Sequence, residues 1–215
     1  HVVIGDSKIV RFRTKAGILS VERSGDSLVL DLPATPVVEA ESMGICRALD
    51  RRMARELDFV CDRRRRLRRA ALLHDIGKIG IPDVILNKPA GLDAEEFEII
   101  KTHTTIGYEV LRKSNRDILR AAATIAWQHH ERWDGNGYPG YVDDLYADPI
   151  RLGKGKRGDE IPITARIAAV ADVYDALMTR RAYKDAWNES DVLNYFRMQK
   201  GKQFDPELVE IFLSM

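Results

Sequence analysis

Hydrophobic and polar positions alternate with a period of two at the start of the chain and change to a helical period from about residue 37. Ile9-Val10-Arg11-Phe12-Arg13-Thr14 alternates, Ala16-Gly17 turns the chain, and Ile18 to Arg23 alternates again. Ser24-Gly25-Asp26 makes a second turn into Ser27 to Leu32, and Pro33 and Pro36 close the run. Period-2 stretches separated by glycine-containing turns predict an antiparallel β meander, assigned to residues 1–36. Three strands are marginal alone, so the piece needs something to pack on, and its edge could pair with a second chain as a homodimer.

The remainder, 37–215, reads as helices. Residues 39–58 are rich in good helix formers, and 62–76 predict a second helix that begins with the basic run Arg63 to Arg66, Arg68 and Arg69, read first as a solvated face. Gly80, Pro82, Pro89 and Gly91 mark a loop. Asp93 followed by Glu96 is a capping-box pair that starts a helix over 94–113. A further helix is expected over 116–131, then an irregular glycine-rich segment over 135–160. Ile163, Ile167, Val170, Tyr174 and Leu177 form a helical stripe behind Pro162, which suits a first turn. Asn188 or Ser190 caps the next helix, and Asp205-Pro206 opens the last. The fold class is therefore mainly α, a helical bundle carrying a small N-terminal antiparallel β meander.

Composition narrows the function classes. Lys and Arg number 34 against 33 Asp and Glu in 215 residues, which excludes a broadly basic coat for DNA. Two cysteines, Cys46 and Cys61, cannot build a disulfide framework. No apolar run reaches the roughly 18–20 residues of a membrane span, and no secretory signal is visible, so a cytoplasmic protein is expected.

The histidines are the pointed feature. Apart from His1, all of the five lie between residues 74 and 130. His74-Asp75 follows the apolar Ala70-Ala71-Leu72-Leu73, His103 lies within a helical stretch, and His129-His130 ends an apolar run. Asp172 interrupts Ile167 to Ala171, with Thr164 and Ala168 clearing space on its face. Each alone has an ordinary structural explanation. Together they form a ligand set of imidazoles and carboxylates suited to Fe, Mn, Zn or Ni rather than Mg or Ca. Asp75 is the natural bridging carboxylate for two ions.

His74-Asp75-Ile76-Gly77-Lys78, then Ile81 to Pro89, His129-His130-Glu131-Arg132-Trp133-Asp134-Gly135-Asn136-Gly137-Tyr138-Pro139, and Val170 to Leu177 form a long, ordered series. It resembles the HD-GYP domains, a branch of the HD phosphohydrolases, over roughly residues 40–215. The resemblance implies an HD-type helical bundle around two divalent ions, Fe or Mn first and Zn, Ni or Co as alternatives. It implies His74, Asp75, His103, His129, His130 and Asp172 as metal ligands. Lys78 would touch the scissile phosphate, Tyr138 would stand at the substrate mouth, and Arg181 and Lys184 would hold the dinucleotide. The implied reaction is hydrolysis of cyclic di-GMP to the linear 5′-phosphorylated dinucleotide by a metal-activated hydroxide, with Asp75 and Lys78 as the catalytic pair. Sensor, receiver or GGDEF-type proteins are the partners that the family suggests. Residues 1–33 are also similar, over a short stretch, to a strand meander of the phenazine-biosynthesis (PhzF-like) fold, a likeness that carries no chemistry.

The sequence departs from the family pattern in three places. A further histidine usually precedes the H-D pair, and the corresponding position falls near Ser42. Glu39 or Glu41 could stand in, or one ion could rest on His74, Asp75, Asp172 and water. Residues 141–157 form a longer loop with Arg151, Lys154, Lys156 and Arg157, either a flexible basic lid or a solvated insertion. Ala182 replaces the usual proline. The missing histidine keeps a second function open: a catalytically weak HD-GYP protein that binds a cyclic dinucleotide or a protein partner as a signalling module. A third, an HD phosphohydrolase for another nucleotide, is disfavoured by Gly137-Tyr138-Pro139.

Overall fold

The structure is a computed structural model that describes residues 9–14, 17–24, 27–31, 67–145, 147, 150–179 and 186–214. The chain divides into two compact units, His1–Glu41 and Ser42–Met215. The first holds strands β1 (Ile9–Thr14), β2 (Gly17–Ser24) and β3 (Ser27–Asp31) in the order β1-β2-β3. Both pairings are antiparallel, with Phe12 opposite Leu19 and Val21 opposite Leu30, the meander that the period-2 pattern predicts. The predicted helix over 39–58 and the basic run Arg63 to Arg66 lie outside the described residues.

The regular elements among the described residues of the second unit are helices. They comprise α1 (Asp83–Leu86), α2 (Ala94–Lys101), α3 (His103–Arg112), α4 (Asp117–Gln128), α5 (Ile163–Met178), α6 (Glu189–Gln199) and α7 (Pro206–Leu213). The caps are those the sequence announces. Asp93 and Glu96 close a reciprocal capping box, Asn188 caps α6, and Asp205 caps α7 ahead of Pro206. The α5 stripe is the seam of the core: Ile167, Val170 and Leu177 are buried against Val192, Phe196, Phe204, Leu208 and Val209.

Three helices are shorter than their periodicity suggests, and each shortening shapes the site. The helix expected over 62–76 is helical at 67–71 and then turns, with a 3₁₀ turn at Ile76–Gly80. Gly77 is the reason: a Cβ there would stand 1.9 Å from the His103 carbonyl oxygen and 2.4 Å from the Gly107 nitrogen, so backbone packs directly on α3.

The helix expected over 94–113 is divided at Thr102 into α2 and α3. Here the side chains of Thr102, His103, Thr104 and Thr105 each donate to the carbonyl three residues back, at 2.6, 2.6, 2.9 and 2.8 Å. Such bonds compete with the helical ladder and bend it. The helix expected over 116–131 ends at Gln128, because His129 Nδ1 donates to the carbonyls of Ile125 and Ala126 at 3.0 and 3.1 Å.

Candidate metal centre

The three terminations deliver the predicted ligands to one place. His74 and Asp75 come from the turn after residues 67–71, His103 opens α3, His129-His130 follows α4, and Asp172 projects from α5. Asp75, His103, His129 and His130 each offer a ligand atom, and these atoms lie within 4.8 Å of one another.

Imidazole orientation is settled by the backbone. Nδ1 of His74 lies 2.8 Å from the Ala71 carbonyl, Nδ1 of His103 lies 2.6 Å from that of Ile100, and Nδ1 of His129 bonds as above. A carbonyl oxygen only accepts, so Nδ1 carries a proton in each ring. On His103 and His129 this leaves Nε2 turned inward as a lone pair, the arrangement of a ligating histidine, while His74 Nε2 faces the carboxylates of Asp75 and Asp172.

The donor count at the centre then fails to balance. His103 Nε2 and His129 Nε2 face each other at 3.5 Å, and Asp75 Oδ1 lies 3.4 and 3.9 Å from them. All three atoms are acceptors, and Asp75 Oδ1 is buried without a hydrogen-bond partner among the described residues. Converging acceptors without a donor are costly unless a cation sits between them. An ion with bonds of roughly 2.1 Å spaces tetrahedral ligands about 3.4 Å apart, close to the separations seen. The residues present fit a metal ion.

The other carboxylate oxygen serves a second group. Asp75 Oδ2 lies 3.4 Å from His74 Nε2, which in turn lies 3.5 Å from Asp172 Oδ1, and Lys78 Nζ pairs with the same Oδ2. One carboxylate thus links two clusters. They differ in access: the side chains of His103 and His129 are 1% and 0% exposed, whereas those of Asp172 and Lys78 are 30% and 39% exposed.

Electrostatics follow the same division. Burial disfavours a charged imidazole, and with neighbouring imidazoles it holds His129 well below the ordinary range and His130 down to about 4; burial also lowers His103. These rings are neutral near pH 7, the form that binds metal. Burial acts likewise on His74, but hydrogen bonds to Asp172 and Asp75 outweigh it and push its pKa up to about 10. Burial would raise both acids, yet His74 holds Asp75 and Asp172 below the usual carboxylate range.

Tyr138 lies against His130, ring centroids 4.8 Å apart and planes at 27°. Its phenol, raised by burial and by Asp75 and Asp172, stays protonated at neutral pH. Arg181 and Lys184 lie outside the described residues, as does Ser42.

Glu131 is the residue whose role the sequence reading missed. Only 3% exposed, it accepts from the Gly140 amide at 2.6 Å and the Lys156 amide at 3.0 Å, one oxygen to each stem of the long loop. Tyr141 and Gly153 add backbone bonds between the stems, to Lys154 and Pro139 at 3.1 and 3.0 Å. Lys156, half-buried, donates to Gln128 at 2.9 Å, while Arg151, Lys154 and Arg157 are exposed. The loop is therefore anchored at its base. The available signal was a carboxylate directly after the histidine pair, ahead of a glycine-rich stretch full of amides needing acceptors.

The separated elements of one helical unit thus bring imidazoles and carboxylates together in two linked acceptor clusters that fit metal ions. Residues 42–177 match the HD domain family, and 152–208 match a second family of the same description. The chain belongs to the HD domain family, and its ordered motifs place it in the HD-GYP branch. It is 49% identical over 146 residues to the cyclic di-GMP phosphodiesterase of Thermotoga maritima, covering 68% of this chain and 36% of that protein. It is 44% identical over 147 residues to the 3′3′-cGAMP-specific phosphodiesterase 2 of Vibrio cholerae, covering 68% and 26%. With the cyclic di-GMP phosphodiesterase response regulator of Xanthomonas campestris pv. campestris it shares 45% over 144 residues, covering 67% and 34%. The matched part thus spans about a quarter to a third of the length of these relatives. Among the described residues no helix is long and apolar enough to cross a membrane.

Proposed function

We propose that this chain is a metal-dependent phosphodiesterase that hydrolyses cyclic di-GMP to the linear 5′-phosphorylated dinucleotide, with residues 37–215 forming the HD-GYP unit. The observation that carries the reading is the facing pair of Nε2 lone pairs on His103 and His129 beside the unpartnered Asp75 Oδ1. The names of the relatives supply the substrate class.

His103, His129, His130 and Asp75 Oδ1 would hold one ion, and His74, Asp172 and Asp75 Oδ2 the other, Fe or Mn first by this ligand set. Two such ions, when bound, lower the pKa of water and act as Lewis acids toward phosphoryl oxygens. The rest of the work falls to side chains. Lys78, poised on the Asp75 carboxylate at the open side, offsets the charge that grows on the phosphate. Tyr138 bounds the mouth beside His130, and Arg181 and Lys184 orient the dinucleotide.

One sequence feature favours a second reading, a catalytically weak protein that binds the nucleotide or a protein partner. Ser42 stands near the place where the family carries another histidine, which leaves the His74 cluster with fewer ligands. Chromatography of cyclic di-GMP incubated with the iron- or manganese-loaded chain separates the two. Turnover to the linear product, abolished by Asp75→Ala, is expected. Stoichiometric metal and bound nucleotide without cleavage would establish the signalling reading instead.

A further inference from the structure

Beside the candidate metal centre, Tyr138 continues into an aromatic shelf whose outer members, Phe97 and Lys101, have no task in the chemistry above. Tyr138, already stacked on His130, meets Phe97 of α2 edge-on, with centroids 6.4 Å apart and planes at 79°. One turn on, Lys101 places Nζ 4.9 Å from the Phe97 centroid and 5.7 Å from that of Tyr138. Glu98 accepts from that ammonium at 2.5 Å and steadies it over the rings. Phe97 is nonetheless 45% exposed, and it takes no part in the core of α5, α6 and α7.

A single exposed phenyl ring is unremarkable on a protein surface. This one differs in being continuous, through Tyr138, with a histidine of the candidate metal cluster, and in sharing its cation with that tyrosine. An open aromatic face with a lysine beside it is how proteins hold nucleobases without pairing to them: the base stacks, and the cation balances the phosphate that follows.

We infer that Phe97 and Lys101 form a nucleobase subsite of the metal centre, in which one purine of the substrate stacks on Phe97 and Lys101 faces the adjoining phosphate. The inference rests on the cyclic dinucleotide reading and deepens it. It assigns base recognition to α2, separate from the groups that would hold the ions.

Equilibrium binding of cyclic di-GMP to the metal-loaded full chain tests it, with inorganic phosphate as a probe of the metal centre alone. Phe97→Leu keeps an apolar side chain and removes the π face. It is expected to weaken cyclic di-GMP binding roughly tenfold, the scale of one lost base stack. Bound metal and phosphate affinity should stay at wild-type levels. Phe97→Tyr should restore binding to within about twofold, since any aromatic face suffices. Lys101→Gln should weaken binding and flatten its salt dependence. Wild-type affinity in Phe97→Leu would overturn the subsite, as would an equal loss of phosphate affinity, which indicates a disturbed centre. A wild-type chain that holds metal and phosphate yet binds no cyclic dinucleotide defeats the proposed function and takes the subsite with it, a signature distinct from failure of the variant alone.

Discussion

Nε2 of His103 and Nε2 of His129 confront each other at 3.5 Å, the Nδ1–H of each ring already donating to a backbone carbonyl. Two acceptors held in opposition by the ends of two helices are a pair that a cation would bridge under the proposed function. Removal of either ring should empty that site. His103→Ala or His129→Ala is expected to lower bound metal by one equivalent per chain while helical circular dichroism is retained. Elemental analysis of the purified variants checks this, and unchanged metal would place the ion elsewhere.

Stability of the metal-free chain should be greatest near pH 6 to 7 and fall on both sides. Below the ordinary histidine value of 6.5 the unfolded chain takes up protons that the lowered His103, His129 and His130 refuse, down to about 4 for His130. Stability therefore drops with acidification. The lowered acids Asp75 and Asp172 reinforce this below about pH 4. His74 acts in the opposite direction: its contribution is complete below 6.5 and is lost as pH climbs toward about 10. Melting temperatures taken from pH 4 to 10 after chelation should trace this dome, and a flat profile would contradict the assignment of these charges.

Gly77→Ala should damage the centre without touching a ligand. The added Cβ would overlap the His103 carbonyl oxygen, so the turn bearing Asp75 and the start of α3 must separate. A cost of about 1–3 kcal/mol in stability is expected from such overpacking. Weaker metal binding should accompany it, measured as a rise in the dissociation constant for manganese. A variant that binds manganese as the parent does would show that this close approach is not what sets the Asp75–His103 spacing.

Much of the site was legible in the sequence because its residues sit badly in their local context. Asp172 in an apolar helix and His129-His130 at the end of another are each explicable alone, but together they point to a shared site, and the structure brings them near one another. The β meander, the capping box at Asp93 and the Asp205-Pro206 start were equally readable, since each depends on neighbours in sequence. What escaped depends on contacts that hydrophobic periodicity does not register. The turn at Ile76–Gly80 exists because Gly77 must lie on His103, and no local pattern reports a partner 26 positions away. The break at Thr102 arises from four consecutive side chains bonding back to the helix, which periodicity does not register. Glu131 reads as one more charge until the loop folds over it.

Glu131→Gln should loosen that loop. The amide keeps one acceptor and turns an N–H toward a backbone N–H, leaving a buried donor unsatisfied at a cost of about 1–3 kcal/mol. Hydrogen exchange should quicken at Gly140 and Lys156, the two amides that Glu131 holds. Bound metal should be unaffected. Protection at both amides equal to that of the parent would show that the stems are held by their mutual bonds instead.

The central claim is that Asp75 joins two ion sites, one oxygen to each, and manganese titration of the metal-free chain against Asp75→Asn tests it most directly. The parent is expected to take up two ions. The variant, folded but with one carboxylate oxygen replaced by an amide nitrogen, should lose measurable affinity at both sites. Two ions bound as tightly by Asp75→Asn as by the parent would contradict the account.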